Sequence, residues 1–361
     1  MQSKTALPAS LSSFVIRTEN EYIDLILCDL PMTPKEAAIA VTYRCNSKCS
    51  MCNIWRIKEF VEIDSREYSK LPRSLRTINV TGGEPFLRRN IVDVLRVLHE
   101  ASPNARIVFS TNGYLTDVIL GKIEEIRSFH GNVGVGVSID GLEETHDRIR
   151  GVQGMFSNGI ETIEGLKRMG ISDLRIALTI QNENVNEVAK VFDMSRMLGV
   201  EFSTTMAHNS EVYFQKTDNE PNEVAISESE DIDYVSRSML KSRHPKDWFR
   251  AFHVSGISDS SIRRCFRSRC EAGHRYVFIA PDGNVYPCNV MDEPMGNLTQ
   301  VTSWDALNTP GVKERVHASV RGCNRDCWMV CYTRSLIIAH PIRAGRWVLW
   351  RKVAAHLGRG D

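Results

Sequence analysis

Cys45, Cys49 and Cys52 lie in the run Tyr-Arg-Cys-Asn-Ser-Lys-Cys-Ser-Met-Cys, at the spacing CxxxCxxC. Three thiolates on one tight loop can hold three irons of a [4Fe–4S] cube and leave the fourth iron without a protein ligand. Such an iron can bind and activate a small molecule, whereas a structural zinc site normally closes with four protein ligands. A second group, Cys270, Cys288, Cys323, Cys327 and Cys331, gathers toward the C-terminal end. Cysteines can also be small buried hydrophobes, disulfides or zinc ligands. No apolar h-region follows the N-terminal Met-Gln-Ser-Lys-Thr, and no apolar run is long enough to span a membrane. Clustered thiols in such a chain read as metal or redox ligands in a reducing, cytoplasmic compartment, with Cys28 an ordinary buried thiol and Cys265 a spare candidate.

The elements that must position these thiols show in the hydrophobic pattern. Apolar runs at Ala37–Tyr43, Arg76–Thr81, Ala105–Thr111, Val133–Ile139, Leu174–Ile180 and Glu201–Met206 predict strands. Between them, Ser65–Leu71, Ile91–Glu100, Asp117–Phe129, Ser157–Met169 and Val185–Leu198 read as helices. Ile91, Val94, Leu95 and Leu98, for example, share one helical face. Alternation of this kind argues for an α/β fold of parallel units with right-handed crossovers. Six units suggest a partial (β/α)6, TIM-like barrel over 37–207, after an N-terminal extension at 1–36; an open doubly wound sheet is the alternative. Residues 208–262 form a bridging segment, with a capping box at Ser227 and Glu230 opening a helix to about Arg243. Residues 263–335 make a small cysteine-rich unit. In it Pro281-Asp282-Gly283 turns a hairpin between Arg275–Ala280 and Val285–Tyr286 and brings Cys270 near Cys288. A C-terminal helix occupies the basic tail at 336–361, where Trp347, Trp350, Ala354 and Leu357 form one stripe. Such a stripe docks on its own protein or lies on an anionic membrane surface. The formal net charge of +1 in 361 residues gives no reason to expect nucleic acid as the ligand.

Polar turns follow successive strands, where parallel folds place their chemistry. Gly82-Gly83-Glu84-Pro85 combines close backbone approach with a carboxylate that could accept hydrogen bonds from an ammonium group. Thr111-Asn112-Gly113 could reverse the chain or offer Asn112 to a ribose. Ser138, Asp140, Arg148 and Arg150 follow the fourth strand, and Gln181-Asn182 the fifth. Val133-Gly134-Val135-Gly136 fails as a dinucleotide fingerprint because position 139 is Ile. His146 beside Asp147 has no nucleophile near it, and His208 and His274 are lone candidates to face the cavity.

CxxxCxxC, GGEP, TNG, SIDG and a C-terminal cysteine group, in that order, resemble the radical S-adenosylmethionine (radical SAM) enzymes across about residues 37–335. The resemblance implies that Cys45, Cys49 and Cys52 hold a cube whose open iron binds SAM. It also implies that Gly82, Gly83 and Glu84 meet the SAM amine, that Ser138 touches SAM, and that Arg148 or Arg150 pairs with its carboxylate. A flavodoxin or ferredoxin would supply one electron, and a 5′-deoxyadenosyl radical would abstract hydrogen from a substrate C–H bond. Cys270 and Cys288, with Gly283 between them and a cysteine loop after, resemble the SPASM and Twitch auxiliary-cluster domains. One auxiliary [4Fe–4S] cluster would take Cys270, Cys288 and two of Cys323, Cys327 and Cys331, with zinc as the alternative. About 36 residues precede the first strand, too few for a typical peptide-binding domain. The expected substrate is therefore small or carbohydrate-like, to be oxidised or epimerised, with a peptide second. A non-catalytic iron–sulfur or zinc protein would explain the cysteines but not the turns.

Overall fold

The computed structural model describes residues 32–220, 222–266, 270–323, 325 and 327–357. Cys28 and most of the N-terminal extension lie outside the described residues. Six parallel strands carry the barrel: β1 Glu36–Ala40, β2 Thr77–Thr81, β3 Arg106–Thr111, β4 Val133–Ser138, β5 Asp173–Ile180 and β6 Glu201–Met206. Apolar side chains on one strand face, such as Leu174, Ile176, Leu178 and Ile180, are buried in the main core under the helices. That core includes Ile91, Val94, Leu95 and Leu98 of helix α1, Ile91–Ala101. The other helices around the sheet are α2 Thr116–Arg127, α3 Glu143–Arg150, α4 Met155–Arg168 and α5 Val188–Leu198. α3 has no counterpart among the predicted helices. It is a short segment of high polarity, closed by Gly151 in the left-handed conformation, and its pattern is too brief to stand out.

Sequence reasoning set the cysteine-rich unit apart from the barrel, yet the sheet is continuous. β7 Tyr276–Ile279 pairs in parallel with β1, from Glu36↔Tyr276 to Ile39↔Ile279. β8 Asn284–Tyr286 and β9 Gly296–Asn297 extend it antiparallel, giving nine strands in the order β6-β5-β4-β3-β2-β1-β7-β8-β9. The predicted hairpin is therefore also the far edge of the barrel sheet. The joined strands share one apolar face here: Ala38 and Ala40 of β1 pack with Phe278 and Ala280 on the inner side.

The bridging segment forms α6 Glu223–Ser227, α7 Glu230–Lys241, α8 Pro245–Ser258 and α9 Ser260–Cys265. The cap of α7 is Ser229, whose hydroxyl accepts from Ile232 N, rather than the expected Ser227, which ends the preceding turn of helix. Beyond β9, α10 Pro310–Gly322, α11 Val330–Ala339 and α12 Pro341–His356 complete the chain. α12 docks through Ala344, Val348 and Ala355, and Trp347 meets Phe252 with ring centroids 5.1 Å apart. Lys352 Nζ donates to the Leu240 and Ser242 carbonyls. The predicted stripe is split by this docking, since Trp350 and Leu357 are exposed. No helix among the described residues is long and apolar enough to cross a membrane.

Trp328, between the last cysteines, is fixed on α8. Its Nε1 donates to the His253 carbonyl at 2.7 Å, and only a glycine fits at 256, where a Cβ would sit 2.2 Å from the indole ring. His253 is itself buried, with Nε2 donating to Thr204 O at 2.9 Å and Nδ1 3.1 Å from Thr333 Oγ1. Burial pushes its pKa down to about 4. Because the folded value lies below the unfolded one, the unfolded chain takes up the proton first as pH falls. Stability from this group is full at neutral pH and is lost between about pH 6.5 and pH 4, by about 2 kcal/mol from pH 7 to pH 5. Urea unfolding of the wild type and His253→Gln at those two pH values checks this. The acid loss should shrink by that amount in the variant, and an unchanged loss would refute it.

Candidate active site

The cysteine loop is held from three sides by backbone. Gly83 N donates to Thr42 O at 2.8 Å and Glu84 N to Arg44 O at 2.7 Å, so the GGE turn lies directly against the chain entering Cys45. Gly82 has φ 141°, and a Cβ there would stand 2.2 Å from Thr42 O; one on Gly83 would stand 2.2 Å from Arg44 O. No other residue permits this approach. From the opposite side, Lys48 N donates to Arg150 O and Ser50 N to Ile149 O, at 2.8 and 2.9 Å. From the segment after β6, Phe214 O accepts from Asn53 N at 2.8 Å, and Met51 O accepts from Asn219 Nδ2 at 3.2 Å. The 210–216 loop that carries Phe214 is closed by Ser210 and Lys216 pairing, and Gln215 takes φ 54°. It places Tyr213 in the lumen against Phe278, with its hydroxyl 2.6 Å from Thr81 Oγ1 and donating to Gly82 O at 3.4 Å. Nothing in the polar sequence after β6 marked this loop.

Glu84 is fully buried, and its carboxylate accepts from Thr111 Oγ1 and Asn112 N, both at 2.8 Å. It ties the end of β2 to the end of β3. Burial pushes its pKa up to about 7 against those hydrogen bonds, the setting in which a cationic ligand nearby gains most. Asn112 donates to Asn46 Oδ1 at 2.7 Å and Ser47 Oγ at 3.1 Å, so both its N–H groups hold the cysteine loop rather than stand free. Ser138 sits half-buried at the end of β4, opposite Ala177. Arg148 is exposed and bonded within α3 to Thr145, away from the loop thiols; a helix turns residues two apart to different faces. Arg150 is the arginine that faces the thiols. It pairs with buried Asp140 at 2.6 Å and donates to Cys49 Sγ at 3.7 Å. Burial opposes its charge, and Asp140 and then Cys49 restore it, leaving its pKa raised. Ser50 Oγ donates to Gln181 Oε1 at 3.0 Å.

The residues present fit an iron–sulfur cluster and SAM. Burial pushes the Cys45 and Cys52 thiols up to about 12, with Cys49 adding to both, so only a strongly cationic group would draw off their protons. In the loop and beside it, Asn46 Nδ2 and Gln181 Nε2 are buried with no hydrogen-bond partner among the described residues, two donors suited to a polar ligand.

The second group converges as well. Buried Cys288 packs with Ala272, Val290 and Met291, against Cys323, Cys327 and Met329. Burial raises the Cys288 and Cys331 thiols, and Cys270 adds to both. Cys265, at the end of α9, is exposed. His208, one of the lone histidines, bridges the two regions, accepting at Nε2 from Asn289 Nδ2 at 3.2 Å. His274 pairs with His317 at 3.1 Å.

Residues 39–194 match the radical SAM superfamily and residues 270–332 the SPASM iron–sulfur cluster-binding domain. The chain belongs to the radical SAM superfamily, among the members that carry a C-terminal SPASM domain, and is a radical SAM enzyme with [4Fe–4S] clusters and SAM as cofactors. It is 24% identical over 80% of its length to the sporulation killing factor maturation protein SkfB of Bacillus subtilis. To the antilisterial bacteriocin subtilosin biosynthesis protein AlbA, also of Bacillus subtilis, it is 25% identical over 83% of its length. It spans 68% and 65% of those two proteins, about two thirds. The fold matches Streptococcus suis SuiB bound to S-adenosylmethionine, with a TM-score of 0.61 at 14% identity over 87% of this chain and 75% of that one. It also matches anSMEcpe with bound AdoMet and Cp18Cys peptide, with a TM-score of 0.59 at 17% identity over 87% and 99%.

Proposed function

We propose that this protein is a peptide maturase: a radical SAM enzyme that oxidises a peptide by removing hydrogen from a side-chain or backbone carbon. The reading is carried by its relatives. SkfB is a maturation protein and AlbA a bacteriocin biosynthesis protein, and SuiB has been captured bound to precursor peptide SuiA. This displaces the small or carbohydrate-like substrate expected from the short N-terminal stretch, because the length before a first strand says nothing of what the lumen admits.

Cys45, Cys49 and Cys52 would hold the cluster that binds SAM. Cys270, Cys288 and two of Cys323, Cys327 and Cys331 would hold the auxiliary one. Bound together, the first cluster and SAM supply a hydrogen-abstracting radical once a flavodoxin- or ferredoxin-type donor delivers an electron. The chain's own residues position and shield that chemistry. Gly82 and Gly83 bring backbone against the loop, and Glu84 offers a buried negative charge toward an ammonium. Asn46, Ser138 and Gln181 present polar groups from three strand ends, and Tyr213 closes the lumen beside β1 and β7.

The test is anaerobic reconstitution followed by reaction with SAM, dithionite and synthetic cysteine-containing precursor peptides. About eight irons per chain, from two cubes, and a peptide lighter by a pair of hydrogens are expected. SAM cleavage without change in any peptide, but with oxidation of a sugar or aminocyclitol, would overturn the maturase reading.

A further inference from the structure

Helix α12 carries two apolar faces, and the fold uses one of them. Ala344, Val348 and Ala355 are buried against the protein. On the other side Ile342, Leu349, Trp350, Val353 and, at the helix end, Leu357 recur at helical spacing and stand in solvent. Ile342 is 77% exposed, Leu349 65% and Trp350 64%. Single exposed apolar residues are ordinary, whereas a continuous row of them along one helix marks an interaction surface.

The helix is fastened to the protein without that row. Lys352 reaches the Leu240 and Ser242 carbonyls and lies over the Trp248 ring. Arg343 donates to Cys265 O at 2.8 Å and stands over Phe266, and Arg351 is attracted by Asp259 and Asp233. Arg346 falls inside the apolar row, exposed and, among the described residues, with neither a hydrogen bond nor an ion pair. Arg264, next to Cys265 on α9, is also exposed and bonds to Ser260 Oγ of its own helix. Between Trp328 and Leu357 the sequence holds no Asp or Glu, although the whole chain carries a net charge of only +1.

The charge and shape of this face select what covers it. A second copy docked through the same face would set Arg346 and Arg264 against like charges, with no carboxylate on the row to answer them. Bound peptides lie in grooves or along sheet edges, whereas the outer face of a helix packed on the surface is a ridge. An anionic bilayer meets both conditions. The apolar row enters the acyl boundary, Trp350 sits at headgroup level, and Arg346 runs its stem along the row with its guanidinium among the phosphates. With three arginines and a lysine in 16 residues, α12 would lie on such a surface rather than cross it.

We propose that the outer face of α12 is a membrane-association surface that binds an anionic lipid bilayer. Binding through this face is independent of the substrate that the lumen admits.

Flotation of the reconstituted full chain with vesicles measures this, using phosphatidylcholine alone and its equimolar mixture with phosphatidylglycerol. The wild type should bind the mixed vesicles roughly tenfold or more tighter than phosphatidylcholine, and lose most of that advantage at high salt. L349Q combined with V353Q breaks the centre of the row and should weaken binding to the mixed vesicles roughly tenfold or more. Its urea midpoint should stay near that of the wild type, because both side chains are exposed. R346E should weaken binding as well, and supplies the contrast if the double variant does not fold. Brominated phosphatidylglycerol should quench tryptophan fluorescence in the wild type and clearly less in W350F. No binding to the mixed vesicles, binding that survives in both sets of variants, or equal quenching in W350F would overturn the proposal. So would a wild-type dimer that the double variant dissolves, since a second copy then covers the row.

Discussion

Cys49→Ala is expected to abolish dithionite-dependent formation of 5′-deoxyadenosine from SAM while leaving the sheet folded. Two of three ligands cannot hold a cube at a loop whose third position has become a methyl group, and SAM then has no open iron to bind. The fold should survive because the loop is held by its backbone rather than by its thiols. The bonds from Lys48 N and Ser50 N to α3, and those from the GGE turn to Thr42 and Arg44, do not involve the Cys49 side chain. The lost contact is a single long interaction with Arg150 at 3.7 Å. Iron and sulfide analysis should therefore show loss of about four irons, with the far-UV circular dichroism and urea midpoint near those of the wild type. Retained SAM cleavage in this variant would remove Cys49 from the ligand set.

The chemistry at the strand ends was legible because it lies in short, unusual strings: cysteines at fixed spacing, two glycines before a carboxylate, polar turns after apolar runs. Residues that face the site from a distance in sequence were not. The choice between Arg148 and Arg150 depends on the turn of a helix, α3, too short to show a period. Tyr213 lies on a loop whose shape depends on Gln215 at φ 54° and on pairing of Ser210 with Lys216, neither of which leaves a compositional mark. Glu84 and Asn112 were recognised as site residues, but their partners were not, because each bonds to the other strand end and to the cysteine loop. The barrel was read from alternation and the hairpin from its turn. Their union through β1 and β7 was missed, since an edge strand carries no label for the partner it will take.

Asp140→Ala is expected to destabilise the protein by about 3–5 kcal/mol, the largest effect we anticipate from a residue outside the cysteines. Asp140 is fully buried, and its partner Arg150 nearly so. One oxygen accepts from Thr179 N at 2.8 Å and the other stands 2.6 Å from the guanidinium. Removing the carboxylate leaves a buried cation that, among the described residues, keeps only its side-chain contact to Cys49 Sγ, and an orphaned N–H at the end of β5. The damage reaches the site directly, because Arg150 O and Ile149 O hold the cysteine loop. Reconstituted D140A should accordingly hold less iron than the wild type even where it remains folded. Replacing both partners, D140L with R150M, should recover most of the stability, since a matched apolar pair leaves no charge unpaired. It should not recover the iron, because the guanidinium contact to Cys49 is gone. Urea unfolding of the two single variants and the double variant separates these terms. A loss below about 1 kcal/mol in D140A would show that the pair is screened by water and that the loop is held by other means.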